Sequence, residues 1–213
     1  RVFMNLVMAY NNQVVRFQED KPQVILPSKT LSVPFDLDLM KQKDAERVAA
    51  GEHSMIPAGY ENRVVSEIVW KLNAGSYIEK KHFAMLDMLS NIMVNGWDRP
   101  IYFSTGISRK DYLGLDDYLI LEGLSYRLTP VKHGQKGDVI NEKVMSDNLF
   151  NKFEFRGLDD STRCYTSEFP LHVRMQREHY MRYATDMANK RKYEEVIKTI
   201  DFVEKTMPDA SIP

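Results

Sequence analysis

The fold is decided by the stretch Asn95-Gly96-Trp97-Asp98-Arg99-Pro100-Ile101-Tyr102-Phe103, which joins a predicted helix to a predicted strand. Apolar residues recur at helical spacing over residues 81–95, and Gly96 can adopt the left-handed conformation that ends a helix. Pro100 has a fixed φ and no N–H, so it suits the first position of a strand that continues through Phe103. The stretch is therefore a structural joint before it is a candidate site.

Apolar periodicity predicts further elements on both sides of this joint. These elements are strands over residues 31–35, 64–72 and 124–131, and a helix that starts at residue 142 and that Gly157 can end. Pro34 marks the first strand as an edge strand. Residues 41–60 carry many charges and turn formers, which predicts a mobile loop. The apolar residues between Phe3 and Val14 fit either a helix or a strand.

The last fifty residues have long helical spacing and few turn formers. One predicted stripe contains Tyr180, Tyr183, Ala184 and Met187, and a second contains Tyr193, Val196, Ile200 and Val203. A polar corner at residues 189–192 separates them, and Pro208 ends the second helix. The pair resembles a single tetratricopeptide-type hairpin, which cannot bury its faces alone. We expect its tyrosines to be core residues rather than the lining of a peptide groove.

These elements predict an α+β fold. We expect a small mixed or antiparallel sheet, built from strands near Val33, Ile68, Ile101 and Leu128 and packed with helices. This domain would span residues 1–160. A tetratricopeptide-like helical hairpin over residues 161–213 would pack on it or continue from it.

Composition narrows the functional classes. The chain has 213 residues and a formal net charge of −1, so it has no overall positive field to attract nucleic acid. No apolar run approaches the roughly 18 residues of a membrane-spanning helix, so we predict no direct membrane insertion. The lone Cys164 excludes an intrachain disulfide and a cysteine zinc cluster. Because the sequence begins at Arg1 and ends just after a helix, we expect a piece of a longer protein.

No motif in the chain predicts catalysis, a cofactor or a metal. Asp36 and Asp38 could flank a divalent cation, but no nucleotide-binding pattern surrounds them. The acidic pairs at residues 116–117 and 159–160 fit helix capping or solvation equally well. His172 and His179 would lie two helical turns apart, about 11 Å, which is too far to share one zinc ion.

Trp97, Arg99 and Tyr102 form the densest set of groups suited to ligand recognition. An indole, a guanidinium and a phenol can stack on a sugar and pair with a carboxylate or phosphate. The structural alternative, which we favour, is that Trp97 plugs the end of the helix and Arg99 pairs with Asp98 or another acid.

Several ordered motifs between about residues 31 and 208 resemble a known family: residues 97–103, 112–115, 121–128, 147–149 and 151–153. They resemble the soluble C-terminal region of a bacterial family of large multi-spanning membrane proteins that is similar to protein O-mannosyltransferases. The resemblance implies a membrane-embedded N-terminal part that transfers a lipid-linked sugar, and a soluble tail on the periplasmic face of the inner membrane. None of the implied catalytic positions falls in this chain.

We therefore expect a non-catalytic extracytoplasmic domain of a membrane glycosyltransferase-like protein that positions an acceptor or a partner. Its expected partners are the membrane-embedded part of the same parent chain and an acceptor protein or glycan. One alternative is a carbohydrate-binding module that uses Trp97, Arg99 and Tyr102. A second is a stand-alone hydrolase, which needs a cleft in which acids or histidines converge.

Overall fold

The structure is a computed structural model, and it describes residues 15–18, 21–24, 29–73, 80–135, 137–155, 157–160 and 169–209. The strands are β1 (Val15–Gln18), β2 (Lys21–Val24), β3 (Thr30–Pro34), β4 (Glu67–Lys71), β5 (Ile101–Ser104), β6 (Leu119–Leu121), β7 (Ser125–Leu128) and β8 (Val139–Ile140). The helices are α1 (Leu37–Ala49), α2 (Lys80–Val94), α3 (Glu142–Asp147), α4 (Phe169–Asn189) and α5 (Tyr193–Thr206). The predicted α+β class is confirmed.

The described strands form three sheets rather than one. β1 pairs with β2, β3 pairs with β4, and the remaining strands form a sheet in the order β5-β7-β6-β8. The expected single sheet is therefore wrong for the described residues, because β3 and β4 form a sheet of their own. An isolated antiparallel bridge between Val64 and Val131 links the ends of the predicted strands 64–72 and 124–131. The predicted alternation is confirmed in β3 and β4, where every second residue is buried. In β7 it is not, since Tyr126, Arg127 and Leu128 are all buried.

The helix over residues 81–95 is confirmed as α2, and Gly96 ends it as predicted. Gly96 has φ +72°, and its N–H donates to Met93 O at 3.1 Å. The next N–H, of Trp97, donates to Ile92 O at 2.8 Å. This pair of bonds is a Schellman motif, which satisfies the last carbonyls of the helix. β5 then begins at Ile101, directly after Pro100.

The mobile loop predicted over residues 41–60 is wrong, because most of it forms α1 and an ordered turn. Asp36 caps this helix: its Oδ1 accepts the N–H groups of Asp38 at 2.9 Å and Leu39 at 3.0 Å. Asp44 is buried in the middle of the helix and accepts the N–H of Met55 at 2.8 Å. This carboxylate therefore holds the segment after the helix in place.

The helix predicted from residue 142 is shorter than expected. α3 ends at Asp147, and a single π-helical turn follows over Asn148–Lys152. Phe153 has extended backbone angles, φ −79° and ψ 132°, so the helical path stops there and not at Gly157. Such π turns occur mostly as single insertions in helical segments.

The predicted C-terminal hairpin is present as α4 and α5. Tyr180 and Tyr183 are each 1% exposed, and Met187 is fully buried, as their stripe predicts. The second stripe is wrong in part. Tyr193 is 62% exposed, whereas Thr199 is 1% exposed. The buried face of α5 therefore contains Thr199 and not Tyr193.

The chain divides into two compact units. The first contains Arg1–Ile120 and Tyr126–Val139, and the second contains Leu121–Ser125 and Ile140–Pro213. This division differs from the expected boundary after residue 160, since the second unit takes in α3 and a short earlier segment. The prediction for Phe3 to Val14 lies outside the described residues. No helix in the described part of the chain combines the length and the apolar composition that a membrane crossing requires.

Candidate functional site

The structure gives the three predicted site residues very different exposures. Trp97 is 1% exposed, whereas the Arg99 side chain is 78% exposed and Tyr102 is 49% exposed. Arg99 Nε lies 3.7 Å from Asp98 Oδ2, and the guanidinium of Arg127 lies 5.8 Å from the Tyr102 ring centroid. A ligand would therefore reach Arg99 and Tyr102 but not the enclosed indole.

Trp97 is held inward by the joint that ends α2. Its φ of +58° is unusual for a residue with a side chain, and it turns the chain directly after Gly96. The indole meets the Phe35 ring edge to face, with centroids 5.5 Å apart. The Arg47 guanidinium donates to the carbonyl oxygen of Trp97. These contacts give Trp97 a structural role in the described fold.

A cleft of about 320 Å³ in the first unit brings together the polar and titratable groups that best fit a binding site. We call it the polar cleft. It is lined by Arg109, Tyr112, Asp116, Leu119, Tyr126, His133, Gln135, Gly137 and Asp138. All of them except Leu119 and Gly137 have a side chain that can donate or accept a hydrogen bond, and such convergence is typical of ligand sites.

Short elements and turns place these side chains. Arg109 begins a 3₁₀ turn that Ser108 caps through a bond to Lys110 N–H at 3.4 Å, and Asp116 begins the next such turn. Tyr126 projects from β7. Gly137, with φ +97°, turns the chain so that Asp138 follows at the start of the approach to β8.

The charged groups of the polar cleft are linked to one another. The Tyr126 hydroxyl donates to Asp138 Oδ1 at 2.7 Å, and Arg109 Nη2 donates to the same oxygen at 3.4 Å. Nη1 of the same guanidinium lies 3.9 Å from Asp116 Oδ1. Arg109 therefore bridges two carboxylates while its side chain remains 69% exposed. The cleft presents one cation between two anions at its mouth.

His133 forms part of the wall and is 6% exposed. Its Nε2 lies 2.9 Å from Asp116 O and 3.2 Å from Leu119 O, and a nitrogen facing two carbonyl oxygens must carry the proton. Its Nδ1 accepts the N–H of Gln135 at 3.2 Å. Both ring nitrogens are thus committed to the backbone, which suits a structural histidine.

The aromatic floor of the cleft is formed by two tyrosines. Tyr112 is 3% exposed, and its ring meets that of Tyr126 edge to face at 5.6 Å. The Tyr112 hydroxyl donates to Ser104 O at 3.2 Å. Both rings are almost fully enclosed, whereas the side chains of Arg109 and Asp116 are 69% and 48% exposed and stand nearer the mouth.

The other acidic and histidine candidates are not brought together. Asp36 caps α1, as described above. Among the residues that the structure describes, no three His, Cys, Asp or Glu side chains form a group that could hold a metal ion. His179 is buried within α4, whereas His172 is exposed near its start. Cys164 lies outside the described residues.

Sequence reasoning recognised Asp116 only as a possible capping or solvated residue. It did not connect this residue with Arg109 or Tyr126. The available signal was a tyrosine within a buried strand, since a buried phenol needs a hydrogen-bond partner. That partner is Asp138, which follows a glycine turn in the sequence.

Comparison with known proteins gives one family match. The family described as TMEM260-associated domain 2 matches residues 1–148 of the chain. The match includes every residue that lines the polar cleft. No curated protein and no solved structure matches the chain significantly.

Proposed function

Because the chain belongs to the TMEM260-associated domain 2 family, we propose that it is a non-catalytic accessory domain of a TMEM260-like membrane protein. In this proposal the domain lies on the extracytoplasmic side, which for a bacterial parent is the periplasmic face of the inner membrane. It positions an acceptor for a sugar-transfer reaction that the membrane-embedded part of the parent carries out. The motifs that resemble a family similar to protein O-mannosyltransferases support this proposal.

The observation that carries the positioning role is the polar cleft. At its mouth, the carboxylates of Asp138 and Asp116 can accept hydrogen bonds, and the guanidinium of Arg109 beside them can donate. Neighbouring hydroxyl groups can donate to a carboxylate and accept from a guanidinium at the same time. With two carboxylates to one guanidinium, the cleft disfavours a phosphate or another anion. Its chemistry therefore suits the hydroxyl groups of a glycan on the acceptor.

The internal bonding of the cleft supports binding over catalysis. A general base needs a nitrogen or oxygen that can accept the substrate proton within hydrogen-bond reach. Both nitrogens of His133 are held by backbone groups. The bonds from Tyr126 and Arg109 to Asp138 Oδ1 fix the orientation of this carboxylate. These contacts organise a recognition surface.

The first experiment tests catalysis directly. The purified 213-residue chain is incubated with a lipid-linked mannose donor and an acceptor peptide, and transfer is followed by mass spectrometry. We expect no transfer. Measurable turnover by this chain alone would overturn the non-catalytic assignment.

The second experiment tests the site. Amide resonances of the full chain are followed by NMR during titration with methyl α-mannoside at millimolar concentrations. We expect shifts at Arg109 and Asp138 that Asp138→Asn removes, while Arg99→Ala leaves them unchanged. The reverse pattern, with loss only in Arg99→Ala, would favour the alternative carbohydrate site at Arg99 and Tyr102. Shifts in neither place would refute glycan recognition by this domain.

A further inference from the structure

One side of α5 carries large apolar side chains that the second unit leaves exposed. Tyr193 is 62% exposed, Ile197 is 59% exposed and Ile200 is 44% exposed. Steps of four and three residues place them on one side of the helix, and we call them the α5 stripe. All three lie in the second unit and outside the matched residues 1–148. An inference about the stripe is therefore independent of the proposed function.

The α5 stripe is separate from the side of α5 that packs inside its own unit. On the packed side, Thr199 is 1% exposed and the Phe202 ring meets Phe150 edge to face, with centroids 5.1 Å apart. Ile200 follows Thr199 by one residue, which is a rotation of about 100° around the helix. A surface helix normally turns its single apolar side inward, so a second apolar side indicates a further contact.

The two ends of the stripe complement each other. Glu204 continues the stripe four residues after Ile200, and the row from Tyr193 to Glu204 spans roughly 16 Å. When a second copy of α5 lies antiparallel with its Ile200 facing Ile197, the same register sets Tyr193 opposite Glu204 of the second copy. A phenol hydroxyl can donate to a carboxylate. Each of these contacts occurs twice, as a two-fold axis requires.

One flank of the stripe carries charges of alternating sign. This charged row consists of Glu194, Lys198, Asp201 and Lys205, which are all exposed. In the antiparallel register, Glu194 comes within two residues of Lys205 of the second copy, about 3 Å along the axis. Lys198 comes equally close to Asp201 of the second copy. Each acid of the charged row therefore faces a base when the row meets its own reverse.

The charged row also selects the direction of pairing. Val196 and Val203 lie on the opposite flank of the stripe and are half-buried. A two-fold axis perpendicular to the helices brings equal flanks together, so the charged row meets the charged row. A parallel pair would instead set the charged row beside these valines and leave its charges without partners. Charge complementarity therefore favours an antiparallel second copy.

The size of the stripe determines the strength of the contact. Three apolar side chains from each copy make an interface at the low end of the areas found for specific association. Such a contact is weak and reversible, and it forms at high local concentration.

We propose that α5 pairs antiparallel with α5 of a second copy of this chain. Ile197 and Ile200 lie at the centre, Tyr193 meets Glu204 at each end, and the charged row runs along one flank.

The first test measures the mass of the full 213-residue chain by sedimentation equilibrium, from about 10 µM to about 1 mM. We expect the mass to rise with concentration from one chain toward two. Ile197→Glu buries a carboxylate at the centre of the contact and should weaken association at least about tenfold. Leu171→Glu is the matched control, because Leu171 is 61% exposed on α4 and should leave association unchanged.

The second test examines the register. Glu194→Lys and Lys205→Glu each set like charges opposite at both ends of the pair, and each should weaken self-association about fivefold. Mixed in equal amounts, the two variants again carry opposite charges and should form a one-to-one pair about as tight as that of the unchanged chain. Lys198 is left in place because it also lies 3.5 Å from Glu195 and 5.1 Å from the Phe150 ring centroid. Circular dichroism verifies that each variant is folded.

Four outcomes would overturn the proposal. These are the mass of a single chain over the whole concentration range, an equal loss of association in Ile197→Glu and Leu171→Glu, no recovery when the charge variants are mixed, and growth beyond two chains. The last would contradict it because a two-fold contact closes at two copies.

Discussion

Replacing Gly114 with alanine tests a close approach of two backbone segments in the first unit. Gly114 has φ +87°, and a Cβ built on it would overlap the carbonyl oxygen of Lys71, the last residue of β4. The same Cβ would lie 3.4 Å from Asn73 N, whose N–H donates to Leu113 O at 3.1 Å. Neither neighbour is the end of a flexible side chain, so the two backbone segments must separate to accept a methyl group.

The chain supplies a matched control for the backbone strain. Gly51 also has φ +87°, but a Cβ added to it would meet nothing within 4 Å. Gly51→Ala should therefore lower the free energy of unfolding by about 1–2 kcal/mol, the penalty for a left-handed residue with a side chain. Gly114→Ala should add about 1–3 kcal/mol for overpacking. The difference between the two variants isolates the close approach to Lys71.

Urea denaturation followed by tryptophan fluorescence measures this difference. Trp70 and Trp97 are 5% and 1% exposed, and both belong to the first unit, as do the two glycines. Unfolding should therefore move their emission to longer wavelength, with a lower midpoint for Gly114→Ala than for Gly51→Ala. Equal midpoints at an unchanged slope would refute the reasoning, because strain alone would then account for both.

Three further predictions concern hydrogen bonds and titration. Tyr180→Phe removes the bond to Leu149 O and should lower thermal stability by about 1 kcal/mol, measured by circular dichroism. Burial raises the pKa of Tyr180, so the folded state holds the phenol proton more tightly than the unfolded state does. The stability that this provides is present below about pH 10 and should fall as the pH rises further. Tyr180→Phe has no phenol proton to lose and should therefore lose less stability at alkaline pH. His133→Ala leaves two backbone carbonyl groups without a partner and should lower the free energy of unfolding, measured in urea, by about 1–3 kcal/mol. Lys132→Ala, at an exposed neighbouring residue, is the control. A hydrogen bond from Lys192 lowers the pKa of Glu142, so the contribution of this pair to stability is present above pH 4.5 and is lost as the pH falls through the lowered pKa. Because the pair is partly exposed, Glu142→Gln should change the free energy of unfolding by less than about 1 kcal/mol. A larger change would contradict this view of the pair.

The elements that sequence predicted well are those whose signal is local. The end of α2 depends on Gly96 and the residues on either side of it, and the β3 and β4 ladder shows the period-two pattern of a half-buried sheet. The buried stripe of α4 likewise follows from spacing within one helix. These patterns are visible because buried residues recur every three or four positions in a helix and every two positions in a strand.

The elements that sequence missed depend on contacts between distant residues. α1 buries only Met40 and Asp44, so its apolar periodicity is too weak to indicate a helix. Its support comes from the Asp36 cap and from the bond between Asp44 and Met55, eleven residues later. Separate strand pairs, likewise, cannot be told from one sheet by the alternation of residues, since every strand has the same pattern whichever neighbour it pairs with.

The candidate site was hidden for the same reason. The polar cleft combines two 3₁₀ turns, two strands and one glycine turn, which are spread over thirty residues. In the sequence each of its charged residues also has an ordinary explanation as a cap or a solvated side chain. Trp97 shows the opposite case, in which a residue type common in binding sites fills the space behind a helix end.

The order of the two units along the polypeptide affects how the protein can be made. Leu121–Ser125 belongs to the unit whose remaining residues begin at Ile140, so the first unit is interrupted by a short piece of the second. During synthesis on the ribosome, this piece emerges before the rest of its unit has been translated. A gene shortened after Val139 would encode the five residues without the remainder of their unit, and one that starts at Ile140 would omit them. Neither unit can therefore be produced intact by trimming the protein from one end.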